Sequence, residues 1–294
     1  MSFLSALALK IFVYFSARND KKRDKGLVEP PELTVFRNVR YAPGGTEHLL
    51  DVYTLAREGE VLPSLVSVHG GGFCYGDKEL YRFYCMHLAL QGYTVFNFNY
   101  RLLPEKFPAP LEDLNAVMQF LSDHAGEYRA DRQTVYAVGD SVGALLLSVY
   151  AGMTVSPAYA AEYPFLPSPV RFRAIGLHSG VYDCGKGFLG ASRHAVEEWT
   201  EGDARAKRLL CAEEYVREGF PPAFLSYSVN DPVTAASPAL AELIRARGVP
   251  CACAEYGRTD KKIGHVFHLD VRSAAAADCG RKQKDFFAAA GREN

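Results

Sequence analysis

A serine framed by glycines, Gly139-Asp140-Ser141-Val142-Gly143, follows the apolar run Thr134 to Val138 and leads into the apolar stretch Ala144 to Tyr150. A strand, a sharp turn and a helix are expected there. Such a turn lifts a serine hydroxyl clear of both elements, and glycines two residues either side remove side chains that would collide across the bend. The chemistry this suits is acyl transfer, with Ser141 as nucleophile. A second glycine run, His69-Gly70-Gly71-Gly72-Phe73, closes the apolar stretch Leu65 to Val68. Its backbone N–H groups are candidate donors to the oxyanion of a tetrahedral intermediate, where each well-placed donor contributes about 3 kcal/mol. Gly71 and Gly72 are the donors expected from this loop, and the N–H of Val142, at the start of a helix whose dipole favours negative charge, is the third. A phosphate-binding loop is the lesser reading, because neither G-x-G-x-x-G nor a Gly-Lys-Ser/Thr ending is present.

A serine needs a base, and the base an orienting acid. One known arrangement runs serine, acid, histidine along the chain, and the C-terminal third supplies both partners. Asp231, in Asn230-Asp231-Pro232, follows the strand-like run Ala223 to Val229. His265, in His265-Val266-Phe267, follows Ala252 to Tyr256 and the polar loop Gly257 to Gly264. Histidine's ordinary pKa near 6.5 lets it take and return the serine proton, and the carboxylate fixes its tautomer. His268 is the alternative base and Asp183 the alternative acid. Asp140 precedes the serine on its strand, so its side chain is expected to point away from the hydroxyl and to serve as a structural hydrogen-bonding group. His48, His87, His124, His178 and His194 are read as structural or surface residues.

The elements that must position these groups follow from hydrophobic runs and turn signals. Eight strands are expected: Leu33 to Tyr41, His48 to Leu55, Ser64 to Val68, Thr94 to Tyr100, Thr134 to Val138, Ala174 to His178, Ala223 to Val229 and Ala252 to Tyr256. Helices are expected around Leu80 to Gln91, Pro110 to His124, Val142 to Met153, Pro238 to Arg247 and Val271 to Ala290. The alternation implies an α/β fold, a mostly parallel sheet covered on both faces after an antiparallel start, with the active groups at the carboxyl ends of the strands. Two stretches lie outside this rhythm. Ser2 to Ala17 carries Leu4, Leu7, Ala8, Ile11, Phe12 and Phe15 at helical spacing, and Val181 to Phe220 is charged and helical around Trp199.

His69 to Phe73, Tyr100-Arg101-Leu102-Leu103-Pro104-Glu105 with Phe107-Pro108-Ala109, Gly139 to Gly143, Asn230-Asp231-Pro232 and His265-Val266-Phe267 occur in one order. In this the chain resembles the hormone-sensitive-lipase-like carboxylesterases of the α/β-hydrolases, over residues 33 to 290. The resemblance implies an α/β-hydrolase fold with an eight-stranded sheet and a small helical cap. It also implies an esterase with Ser141, Asp231 and His265 as triad, an oxyanion hole from Gly71, Gly72 and Val142, a small-molecule ester substrate of short acyl chain, and no cofactor or metal. Cap elements are expected at about residues 1–30 and 181–220 of one domain spanning 1–294. Val142 and Ala144 stand where the family has alanine and glycine, adding bulk beside the nucleophile. Val266 replaces the glycine after the histidine, so the loop is expected to forgo a glycine conformation there.

With 294 residues, 48% of them hydrophobic, the chain can bury a large core. A net charge of −1 with scattered basic residues gives no footprint for nucleic acid. The cluster Lys21, Lys22, Arg23 and Lys25, interrupted by Asp24, is read as a solvated linker. Seven cysteines without a C-x-x-C pair fit reduced, structural thiols and a cytoplasmic protein; Cys74, beside the glycine loop, is the one placed for reactivity. The N-terminal stretch is too short to span a bilayer and lacks the basic start of a signal peptide, so a cap helix is favoured over membrane-surface association. An amidase or carbohydrate deacetylase with the same triad, and a non-catalytic ligand-binding protein on the same fold, are the competing functions. The oligomeric state is not legible.

Overall fold

In the computed structural model, the described residues are 3–183, 185, 187–188, 190–231, 233 and 236–291. All eight expected strands are present: β1 (Thr34–Arg40), β2 (Leu49–Thr54), β3 (Leu62–Val68), β4 (Thr94–Phe98), β5 (Ala130–Asp140), β6 (Phe172–His178), β7 (Ala223–Ser228) and β8 (Cys251–Tyr256). They form one sheet in the order β1-β2-β4-β3-β5-β6-β7-β8. β1 and β4 each pair antiparallel with β2, and all other pairings are parallel.

The inner strands are buried on both faces, which is why they read as continuous apolar runs rather than alternating ones. Leu65, Val95, Val138 and Phe224 face one layer, formed by α2 (Lys78–Leu90) and α10 (Ala274–Ala290). Val66, Phe96, Ala137 and Leu225 face the other, where α3 (Ala109–His124), α4 (Ser141–Val155) and α9 (Ala236–Ala246) pack. α2 begins at Asp77, whose carboxylate accepts the Leu80 N–H at 2.9 Å, and buries Tyr81, Tyr84, Cys85 and Leu88, an i, i+3, i+4, i+7 stripe. α4 differs. Leu145, Leu146, Leu147 and Ala151 give it strong helix propensity, and it is buried from Ser141 to Thr154, so it presents no polar face to water.

The remaining helices fall outside this alternation. α1 (Phe3–Asp24) precedes the sheet, the single turn α5 (Pro157–Ala160) follows α4, and α6 (Gly190–Thr200), α7 (Ala204–Leu209) and α8 (Ala212–Tyr215) occupy the insert between β6 and β7. The insert is anchored by Trp199, fully buried, whose ring stacks on Phe73 at 4.2 Å between centroids and meets Phe107 edge-on at 5.2 Å. The Phe107 N–H donates to the Trp199 carbonyl at 3.0 Å, and Lys106 pairs with Glu198 at 2.9 Å.

One expectation is corrected here. Lys21, Lys22 and Arg23 belong to α1, not to a linker. Arg23 holds the last turn in place by donating to Asp20, Asp24 and the Leu80 carbonyl, and Arg272 donates to the Lys25 and Arg23 carbonyls.

Candidate active site

Ser141 lies where β5 turns into α4, with φ +50°. A non-glycine residue pays strain in this left-handed region, and the neighbours accommodate it. A Cβ on Gly139 would stand 2.6 Å from the Gly143 carbonyl oxygen, and one on Gly143 would stand 2.2 Å from that of Val68. No side chain fits at either position, which is the steric reason for the glycine spacing.

The groups expected as base and acid meet the serine. His265 Nε2 is 3.1 Å from Ser141 Oγ, and His265 Nδ1 is 2.5 Å from Asp231 Oδ2. The Asp231 carboxylate is wholly buried and its other oxygen accepts the Val233 N–H at 3.0 Å, whereas the imidazole is partly open to the cavity. Asn230, quoted as a motif residue without a role, ties the acid's loop to the base's loop, since its side-chain amide donates to the Gly257 carbonyl at 2.8 Å.

Gly71 and Gly72 adopt φ of +123° and +63° beside the serine. A Cβ on Gly71 would fall 1.8 Å from the Tyr75 carbonyl oxygen. Among the described residues the N–H groups of Gly71, Gly72 and Val142 meet no acceptor. The neighbouring Gly70 N–H, by contrast, donates to the Tyr81 hydroxyl at 2.9 Å, and that hydroxyl donates to Asp140 at 2.8 Å. Asp140 therefore turns away from the serine as expected. Tyr81, which sequence reasoning missed, links the glycine loop to the end of β5.

The alternatives are placed elsewhere. His268 is buried, stacked on His178 at 4.3 Å and 3.9 Å from Asp140. Asp183 accepts the Gly187 N–H at 2.9 Å and bridges to Cys211. His48, His124 and His178 pair with Asp113, Glu127 and Gln283 respectively, while His194 stands on the cavity wall. Burial raises the Cys74 thiol above its ordinary pKa, so it is a poor thiolate. Six cysteines of the described residues are free: Cys74, Cys85, Cys211, Cys251, Cys253 and Cys279.

The expectation for Val266 is also corrected: it does take a glycine-like conformation, with φ +48° and ψ +35°. Its N–H donates at 3.2 Å to the hydroxyl of Ser179, itself at φ +45° and fully buried. This tertiary bond holds a β-branched residue where its intrinsic preference would not, and it fixes the residue next to His265.

Above the three residues opens a cavity of about 1070 Å³. Its floor carries Ser141, Val142 and Gly70 to Gly72, one wall is α1 through Phe12, Ser16 and Arg23, and another is α6 through His194, Glu197 and Glu198.

The sequence profile of a family described as having the alpha/beta hydrolase fold matches residues 65–269. The chain belongs to this family. Several enzymes align with it over different lengths. Lipase 2 of Moraxella sp. (strain TA144) is 33% identical over 97 residues, a match covering 32% of this chain and 22% of that lipase. An acetyl esterase of Salmonella paratyphi B is 24% identical over 236 residues, 77% of this chain and 72% of the relative. In fold, the crystal structure of esterase B from Lactobacillus rhamnosis, with a C4-C4 SN3 tributyrin phosphonate, matches 100% of this chain and 97% of that one at 24% identity, with a TM-score of 0.90.

Three buried histidines give this α/β hydrolase a predictable acid response. Burial pushes His69 and His178 down to about 4 and holds His268 well below its ordinary value. His69 Nε2 and His268 Nδ1 meet no hydrogen-bond partner among the described residues. Unfolded, each takes up a proton near pH 6.5, whereas in the folded protein His69 and His178 refuse it until about pH 4 and burial keeps His268 neutral well below its ordinary value. His69 and His178 therefore each favour unfolding by up to on the order of 3 kcal/mol as pH falls through that window. Asp140 opposes them. Burial raises its carboxyl to about 6, so its protonation favours the folded state, by a similar amount, as pH falls from about 6 to 4. Three histidines outweigh one aspartate, and Tm should drop between pH 6.5 and 4. A level Tm across that range would show that these imidazoles are not buried as described.

Proposed function

We propose that the protein is a serine carboxylic ester hydrolase working through an acyl-enzyme, with Ser141, His265 and Asp231 as its triad. The observation that carries this reading is the continuous relay at 3.1 and 2.5 Å from hydroxyl to imidazole to buried carboxylate, opening on a cavity beside unpaired glycine N–H groups. Ser141 Oγ attacks the ester carbonyl while His265 Nε2 takes its proton, and Asp231 stabilises the imidazolium through Nδ1. The carbonyl oxygen, now an oxyanion, is received by the N–H groups of Gly71, Gly72 and Val142. Collapse expels the alcohol, which leaves with the proton from His265. Water, deprotonated by the same nitrogen, then attacks the acyl-enzyme and releases the acid and Ser141. The scheme uses only these groups and water.

Short acyl chains are the favoured substrates. The acetyl esterase and the tributyrin-derived phosphonate among the relatives support that preference, and α1 with the α6–α8 insert, acting as a cap on the single domain, leaves the scissile carbonyl at the bottom of a walled cavity. The test is initial-rate hydrolysis of p-nitrophenyl esters from acetate to palmitate. kcat/KM should be highest at acetate or butyrate and fall steeply at long chains. Highest turnover on palmitate would overturn the short-acyl preference, and none anywhere in the series, with amide analogues cleaved instead, would overturn the esterase reading.

A further inference from the structure

The two sides of α1 are built for different neighbours. Phe12, Ser16, Asn19, Asp20 and Arg23 line the cavity, at spacings of i, i+4, i+7, i+8 and i+11 that mark one face of a helix. Ile11, Tyr14, Phe15, Arg18, Lys21 and Lys22 follow i, i+3, i+4, i+7, i+10 and i+11, a second stripe on the opposite side, and all six are exposed. Ile11 is 49%, Tyr14 61% and Phe15 56% exposed, and the rings of Tyr14 and Phe15 meet edge-on within their own helix. The stripe is graded along its length of roughly 16 Å: apolar and aromatic in its first half, cationic in its second. The two acids of α1, Asp20 and Asp24, do not neutralise it, because both are bonded to Arg23 and Asp20 also accepts the Tyr75 hydroxyl. Lys10 and Lys25, exposed as well, flank the stripe in sequence.

We propose that this outer face of α1 docks on a lipid surface carrying anionic headgroups. Aromatic and aliphatic side chains suit the boundary between headgroups and acyl chains, and Lys and Arg suit lipid phosphates, where each basic residue near the surface strengthens binding severalfold. Among the described residues Arg18, Lys21 and Lys22 meet no acidic partner, unlike Arg205, Lys207 and Arg208 of the insert, which pair with Glu162 and Glu197. The helix lies on the surface rather than across it, since no helix among the described residues is long and apolar enough to cross a membrane. Because the inner face of α1 bounds the cavity, docking would bring the cavity mouth to the interface, where sparingly soluble ligands concentrate. The inward-facing and lipid-facing roles thus coexist on one helix. The docking claim is independent of the proposed chemistry, since it is read without turnover.

The experiment is co-sedimentation of the full chain with phosphatidylcholine vesicles, with and without about 30% phosphatidylglycerol. The protein should partition onto the anionic vesicles, more weakly onto neutral ones, and be released by high salt. The triple variant Arg18→Gln, Lys21→Gln, Lys22→Gln should lose about a hundredfold in partitioning, and Tyr14→Ser with Phe15→Ser about tenfold or more, with circular dichroism and Tm unchanged. None of these side chains lines the cavity. Wild-type protein that stays in the supernatant with anionic vesicles overturns the proposal, whatever the variants do. So do variants that partition like the wild type, and so does a stable dimer, dissolved by the triple variant, that binds no vesicles.

Discussion

Ser141→Ala lowers kcat on a short-chain ester by about 10⁴ to 10⁶-fold, and His265→Ala does nearly the same, because nucleophile and base act as one unit and the loss of either removes the unit. The alanine at 141 keeps a Cβ at φ +50°, so backbone strain at the turn is unchanged. The Ser141 variant should therefore match the wild type in circular dichroism and Tm. The His265 variant carries a structural cost as well: it leaves the buried Asp231 carboxylate without the imidazole that stands 2.5 Å away, so its Tm should fall while its spectrum stays native. Rates are measured with active-site concentrations normalised by absorbance, since the residual turnover must be separated from trace contamination. His268, stacked on His178 with no contact to Ser141, is a core residue, and retention of wild-type turnover by His265→Ala would contradict the assignment of the base.

The second large effect is expected at the glycine loop. In Gly71→Ala the new methyl would fall 1.8 Å from the Tyr75 carbonyl at a backbone φ of +123°, so the loop must move. The N–H groups of Gly71 and Gly72 move with it. Losing one oxyanion donor costs about 10² to 10³ in kcat, and displacing two should reach about 10³ or more, while KM changes little because these donors act mainly on the transition state. Steady-state kinetics on one soluble ester separates the two parameters. A Gly71→Ala enzyme with kcat near the wild type would remove the loop from the mechanism.

What the sequence could announce depended on how local the cause was. The inner strands were legible because burial on both faces leaves continuous apolar runs, and the Ser141 turn was legible because its glycines are demanded by contacts within five residues and with the adjacent strand β3. Asp231 and His265 were found from their places after β7 and β8, a topological regularity rather than a local one. Tyr81 carried no such signal. Its hydroxyl matters because the fold brings Gly70 and Asp140 to it, and in sequence it is one more aromatic on the buried stripe of α2. Val266 misled for the opposite reason: a β-branched residue argues against positive φ, yet the Ser179 hydroxyl, 87 residues away, holds it there. The cationic end of α1 read as a linker because the bonds that keep it helical reach to Leu80 and Arg272.

The central claim is that Ser141 becomes covalently acylated. The most direct measurement is intact-protein and peptide mass spectrometry after reaction with a short-chain p-nitrophenyl phosphonate, which a serine nucleophile attacks but cannot release. One adduct per chain, on the peptide containing Ser141, with stoichiometric loss of esterase activity and no adduct on Ser141→Ala, is the predicted result. Ester hydrolysis that persists in the labelled protein, or an adduct on another residue that alone accounts for the inactivation, would contradict it.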